Sequence, residues 1–391
     1  MRHPVFVIIF AQLFGTSLWF SANSATDDLQ RAWGLVSSDI GWLTNAVQLG
    51  FIVGTLTLSM SGLADRFRAS RIFALSAVLG ALFNAAFALL AEGLASGMAL
   101  RFAVGCCLAG VYPLGMKLVV SWAPERAGPA LAWLVGMLTL GTALPHGVRW
   151  LGAGWAWQSV ILTSSAMALL AASMVFATGD GPHLQLKKHT QKIRWGEVLE
   201  SFRIREFRAS ALGYFGHQWE LFALWTLVPA LLVMCGLGAS GKSEASALAF
   251  AVIGVGAAGC IVGGWWSRRM GSARVAAWAL ASSALCCALF PFITHWPAWA
   301  QMSVLLFWGA TAVADSPHFS ALSAKNCDPR KVGSALSMQN AIGFGITMVS
   351  IQIGTAWVSS WGPWIALLLL PGPLLGLLGL YPLWKQNQSS T

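Results

Sequence analysis

Apolar stretches long enough to cross a bilayer recur along the chain near 4–24, 39–61, 72–93, 97–121, 127–147 and 157–178. A second set falls near 208–236, 245–267, 272–293, 299–324, 330–357 and 362–384. About twenty apolar residues in helical form span the hydrocarbon core. Backbone groups inside lipid must be satisfied within the segment, so each stretch is predicted to be a helix. The pattern therefore predicts an all-α membrane protein of twelve transmembrane helices in two six-helix bundles. The one long polar interval, 179–207, separates an N-terminal bundle (1–178) from a C-terminal bundle with a short tail (208–391), and a surface helix is expected around Trp195–Phe207. Arg2, the apolar run from Val5 to Phe20 and the small residues Ser21 to Ala25 together imitate a signal peptide. We read them as a retained first helix.

Composition agrees with this reading. Of 391 residues, 57% are hydrophobic and 10% charged, against about 25% charged in soluble proteins. The net charge of +10 invites a nucleic-acid reading until the charges are placed. With the N-terminus, the alternate loops, the linker and the C-terminus on one side, that side holds 19 of the 24 Lys and Arg residues. The other side holds three (Arg31, Arg149, Lys242), and two lie within spans (Arg101, Lys117). This positive-inside bias predicts a multi-pass protein of the bacterial inner membrane with cytoplasmic termini, and no nucleic-acid partner. The seven cysteines sit in apolar runs without metal-ligand spacing and read as small apolar filler. No nucleophile–base constellation and no cofactor motif points to an enzyme.

The halves repeat each other. Phe14-Gly15 aligns with Phe215-Gly216, Gly62-Leu63-Ala64-Asp65-Arg66 with Gly264-Trp265-Trp266-Ser267-Arg268, and Pro124-Glu125-Arg126 with Pro329-Arg330-Lys331, all at nearly constant offset. Ordered matches of this kind point to duplicated halves in parallel orientation.

The segment Gly62-Leu63-Ala64-Asp65-Arg66-Phe67-Arg68-Ala69-Ser70-Arg71 resembles the signature loop between helices 2 and 3 of the major facilitator superfamily, with Ala69 where glycine is usual. The second-half copy keeps Gly264 and Arg268 but has Ser267 in place of the acid. Arg101 followed by Gly105 is similar to the family's second motif. Leu212 to Leu221 and Val313 to Leu322 resemble bacterial permeases loosely labelled cyanate- or nitrate/nitrite-like. Leu140 to His146 lacks the G-P-x-x-G-G element of drug antiporters, and no nitrate signature is present. The resemblance implies alternating access, with helices 1, 4, 7 and 10 lining a central cavity. It also makes Gly62, Asp65, Arg66 and Arg71 a gate latch.

Two pairs carry the candidate chemistry: His217 with Glu220, and Asp315 with His318. Three residues is about one helical turn, so each acid shares a face with its histidine. A charged side chain at the bilayer centre costs roughly 2.5–3.5 kcal/mol on insertion scales, and such residues mark ion or substrate pathways. His217 and Glu220 are predicted to lie roughly 14–18 Å along the seventh helix. The opposed directions of helices 7 and 10 would set both carboxylates on the outer side and both imidazoles one turn inward. Read functionally, the four groups form a proton-coupling cluster. Read otherwise, they are a hydrogen-bonded lattice between helices or, with two histidines and two acids, a metal site. Arg101, Tyr112, Trp219, Gln339 and Asn340 are the candidate substrate-binding residues. Arg101 has a second reading as a brace for helix 1, and Lys117 reads as snorkelling to the interface.

The expected function is a proton-coupled importer of a small anionic solute, acting as a monomer with the solute, protons and the bilayer as its partners. A proton-driven exporter, a divalent-metal transporter and a transporter-like sensor stay open as alternatives.

Overall fold

The computed structural model describes residues 3–186, 200–238, 241–328 and 332–386, and all regular structure among them is helical. The twelve passes are His3–Thr16 with an irregular continuation to Ala25, Ser37–Met60, Ala69–Leu90, Leu94–Leu108 continued by Tyr112–Trp122, Ala127–Leu151 and Trp157–Thr178. The second set is Arg205–Met234, Lys242–Gly254 continued by Gly256–Met270, Ser272–Ile293, Ala298–Ala314 continued by Ser316–Lys325, Val332–Trp361, and Pro371–Gln386 after the 3-10 turn Gly362–Leu368. Among the described residues, eight stretches are long and apolar enough to cross a membrane, and one of them, Val332–Lys385, carries two passes. The first, seventh and tenth passes fall outside that measure. The first is broken after Thr16, the tenth at Asp315, and the seventh carries Arg205, Glu206, Arg208, His217, Gln218 and Glu220.

We call the end that gathers 61–71, 123–127, 179–186, 268–274 and 325–328 the basic end. Of the surface helix expected around Trp195–Phe207, 195–199 lies outside the described residues, and 200–207 does not continue one. The chain re-enters the described structure in a 3-10 turn, Glu200–Arg203, and the seventh pass begins at Arg205. The first stretch of the linker is stitched to the N-terminal bundle. Asp180 accepts hydrogen bonds from Ser70 N and Oγ (2.9 and 3.0 Å), Gly181 N donates to Ser121 Oγ (3.1 Å), and Trp122 Nε1 donates to Gly179 O (3.3 Å). Asp180 thereby satisfies an amide at the start of the third pass and sits where its charge favours the helix N-terminus.

The first pass departs from the uninterrupted helix the apolar run predicts. After Thr16 it unwinds and ends in a short amphipathic helix, Thr26–Trp33, closed by Gly34 at φ +65°. Unwinding frees carbonyls at a depth without water, which lipid does not tolerate unless a protein group answers them. Arg101 does so. Its Nη1 donates to Leu18 O (3.0 Å), Ser21 Oγ (3.1 Å) and Asn84 Oδ1 (3.0 Å), and its Nη2 donates to Trp19 O. Asn84 in turn donates to Ile161 O and Ser165 Oγ (both 3.0 Å). One guanidinium thus ties together the first, third, fourth and sixth passes.

The two bundles meet at the end opposite the basic one. Asn45 Nδ2 donates to Met348 O (3.0 Å) and Gln352 Oε1 (3.2 Å), closing the second pass on the eleventh. A Cβ on Gly41 would lie 2.2 Å from Thr355 Oγ1, so only glycine permits that approach. Ser243 Oγ donates to Trp150 O (3.3 Å) where the fifth and eighth passes meet. Deeper in, Trp19, Phe51, Phe222 and Phe344 from four passes form an aromatic plug, with ring centroids 4.5–5.7 Å apart. Aromatic pairs at such spacing each add about 0.5–1.5 kcal/mol beyond burial. Towards the basic end the bundles separate around a vestibule of about 760 Å³.

Candidate functional site

His217 Nδ1 lies 2.8 Å from Asp315 Oδ1, joining the seventh pass to the tenth, and both side chains are about 1–2% exposed. Asp315 occupies the break of the tenth pass. The helix resumes at Ser316, and Asp315 O accepts from His318 N (2.9 Å) and Phe319 N (3.2 Å). The fourth pass is interrupted at the corresponding place, between Leu108 and Tyr112, as the internal repeat requires.

The remaining two members of the expected cluster lie one turn away in opposite directions. Glu220 turns from the central pocket into the C-terminal bundle. Its Oε1 accepts from Trp308 Nε1 (2.6 Å), Cys287 Sγ (3.4 Å) and Ser283 Oγ. His318 lies one turn towards the basic end, where it lines the vestibule. The two acids and two histidines therefore form a file, with Glu220 furthest from the basic end, His217 and Asp315 level in the middle, and His318 nearest it. The two-layer arrangement expected from sequence is corrected by register. Asp315 sits opposite His217, not opposite Glu220, because helix directions fix the order of residues but not the stagger between helices. No three His, Cys, Asp or Glu side chains among the described residues form a metal-binding group.

Beside the His217–Asp315 pair is a small pocket of about 30 Å³, bounded by Trp19, Tyr112, Gln218, Trp225, Ser316 and Phe344, among others. Val135, Ser320 and Asn340 line both this pocket and the vestibule, so the two are contiguous. Gln218 Oε1 and Trp225 Nε1 are buried there without a hydrogen-bond partner. Buried polar atoms are ordinarily paired, and one left open towards a cavity marks a place for a ligand group or water.

Of the five candidate solute-binding residues, Tyr112 and Asn340 line the central pocket. Gln339 is fully buried on the eleventh pass, with neither amide atom partnered. Trp219 faces away from the pocket, towards the twelfth pass, and its Nε1 donates to Leu368 O (2.8 Å). Arg101 spends its Nη donors on the first and third passes. Trp225 is the indole that meets the pocket. Sequence reasoning also treated Cys287 as filler and did not single out Ser283 or Trp308. Their signal was faint, since a buried Glu needs donors but the sequence does not say from which helix.

At the basic end Gly62 turns the chain at φ +67°, and Asp65 follows in a single helical turn. Lys117 reaches across from the fourth pass, donating to Asp65 Oδ1 (2.8 Å) and Ala64 O (2.5 Å). Lys117 thus has a specific partner as well as a path to the interface, while Arg66 and Arg71 are exposed beside it. Asp65→Asn removes the ion pair but keeps the turn. We expect normal folded yield with transport reduced by an order of magnitude or more, measured as uptake per folded molecule. Full activity would refute a latch role.

Two pseudo-symmetric six-helix bundles, closed at one end and open at the other around a small polar pocket, define the class as a membrane transporter fold. The sequence profile of the Major Facilitator Superfamily matches residues 5–351, and the chain belongs to that family of transporters, which are not enzymes. A 129-residue stretch, 30% of this chain and 28% of the relative, is 33% identical to the niacin transporter NiaP of Acinetobacter baylyi. A 156-residue stretch, 40% of this chain and 38% of the relative, is 29% identical to the 3-(3-hydroxy-phenyl)propionate transporter of Escherichia coli. The chain thus matches well under half the length of either relative. A solved structure of the xylose transporter XylE from E. coli, in a partially occluded inward open conformation, superposes with a TM-score of 0.73 at 13% identity. It covers 97% of this chain and 96% of that one, a likeness of fold.

Proposed function

We propose that this protein is a proton-coupled secondary transporter that imports a small anionic solute by alternating access. In this reading it sits in a bacterial inner membrane with its basic end and both termini in the cytoplasm. The observation that carries the proposal is the His217–Asp315 pair, buried at the break of the tenth pass and next to the small central pocket that adjoins the vestibule. A buried acid–imidazole pair changes charge when a proton arrives, and the two helices it joins belong to the walls that must move. Glu220 and His318 extend the same file outward and inward. The placement of 19 of 24 basic residues on one side supports the orientation.

Niacin and hydroxyphenylpropionate are ring-bearing carboxylic acids, and the central pocket is walled by Trp19, Tyr112, Trp225 and Phe344. In this structure the pocket has room for about one water, so an aromatic acid would stack on those walls once the bundles part around it. Its carboxylate has the Trp225 indole and the Asn340 amide as donors rather than a free cation. Uptake into proteoliposomes under an imposed inward proton gradient tests the reading, with niacin, hydroxyphenylpropionate, xylose and manganese as probes. Accumulation of an aromatic acid that collapses when the gradient is discharged supports it. Accumulation of manganese or xylose alone, or outward pumping, overturns it.

A further inference from the structure

The strongest unassigned feature lies at the basic end of the fifth and eighth passes, where a polar cavity bordering the vestibule runs into a groove on the outer face of the two helices. Two adjoining cavities meet there. One, of about 690 Å³, is lined by Arg126, Trp122 and Trp133 of the N-terminal half, by His183 of the linker and by Arg268 of the C-terminal half. The other, of about 370 Å³, is an apolar groove walled by Trp133, Ile261, Val262 and Trp265. They share Pro129, Trp133 and Arg268. The helices touch beneath the groove, where a Cβ on Gly264 would come within 2.7 Å of Ala132 Cβ. The groove is therefore floored and opens outward, and Trp133, Val262 and Trp265 are exposed. Trp133 lies six residues from the basic end of its pass and Trp265 five from the end of its own, so the two indoles stand at the same interfacial depth.

The geometry points to a binding site for one anionic phospholipid, with its headgroup phosphate between Arg126 and Arg268 and an acyl chain in the groove between Trp133 and Trp265. Arg presents a fork of donors matched to phosphate oxygens, and neither guanidinium forms an ion pair with another described residue. Glu125 also lines the polar cavity and discriminates against a second anion. A neutral solute has no use for the two cations, and a soluble phosphate has no use for the groove. The two arginines belong to opposite halves, so a lipid seated here bridges them and favours the arrangement in which the basic end is open.

The test uses the full chain purified in detergent and reads both bound lipid, by native mass spectrometry, and thermal stability. Added lipids are phosphatidylglycerol or phosphatidylcholine, with soluble glycerol phosphate as a separate arm. The expected result is retained phosphatidylglycerol and a raised melting temperature with that lipid only. Arg126→Gln combined with Arg268→Gln should weaken the affinity roughly thirtyfold, each basic group near an anionic lipid being worth a factor of about five. Lys385→Gln, which removes a charge elsewhere at the same end, should bind as the parent does. Equal binding by the double variant, equal stabilisation by phosphatidylcholine, or full stabilisation by glycerol phosphate alone would each overturn the site.

Discussion

Asp315→Asn yields a protein that exchanges solute across the membrane but no longer accumulates it when a pH gradient is imposed. The amide keeps the shape of the carboxylate and can still hydrogen-bond His217, so the joint between the seventh and tenth passes survives. What it loses is the ability to take up and release a proton. Each proton carried with a solute supplies about a tenfold accumulation per pH unit, and in the variant that ratio falls to about one. The measurement compares gradient-driven uptake with solute counterflow in the same proteoliposomes. Counterflow persisting while gradient-driven uptake vanishes is the expected pattern. Unaltered gradient-driven accumulation would remove Asp315 from the coupling path and leave the pair as a structural lattice.

Arg101→Met has the largest expected effect on stability. Methionine keeps the length of the side chain but offers no donor to Leu18 O, Trp19 O, Ser21 Oγ or Asn84 Oδ1. The substitution leaves buried neutral acceptors short of a donor, at about 1–3 kcal/mol for each one left unsatisfied, enough together to lose most of the folded protein. Arg101→Lys recovers part of this, because an ammonium can reach some of the acceptors but cannot fork across both carbonyls. Thermal unfolding and folded yield read the loss. A stably folded Met variant with a weakened KM would instead make Arg101 a solute-binding residue.

The architecture was legible because the bilayer imposes a coarse rule: apolar runs of spanning length must be helices, and the basic loops sort to one side. Finer features were legible only where the local chain dictates them. Gly62 and Asp65 form the turn that the resemblance of their loop implies, whereas the interruptions of the fourth and tenth passes were not foreseen in their unbroken apolar runs. The break after Thr16 left no such trace. No proline marks it, and the residue that sustains it, Arg101, is more than eighty positions away. The depth order expected of the two acids and two histidines is the part that register overturned. A helical period says that His217 and Glu220 share a face, but the stagger of the tenth pass is set by packing along its whole length. Trp219 and Trp225 were indistinguishable for a related reason. Both faces of the seventh pass are apolar, so hydrophobicity cannot tell the face that meets the pocket from the one that meets the twelfth pass.

The aromatic plug of Trp19, Phe51, Phe222 and Phe344 has a thermodynamic consequence. When the end opposite the basic one opens, as alternating access requires, four rings from four helices part and the surface they hide becomes wet. Hydration of apolar surface raises the heat capacity. The balance between the two access states therefore follows a curve in temperature rather than a straight van't Hoff line. Replacing Phe344 with a small residue should flatten that curve, a calorimetric mark that the outer barrier is made of excluded water rather than of charge.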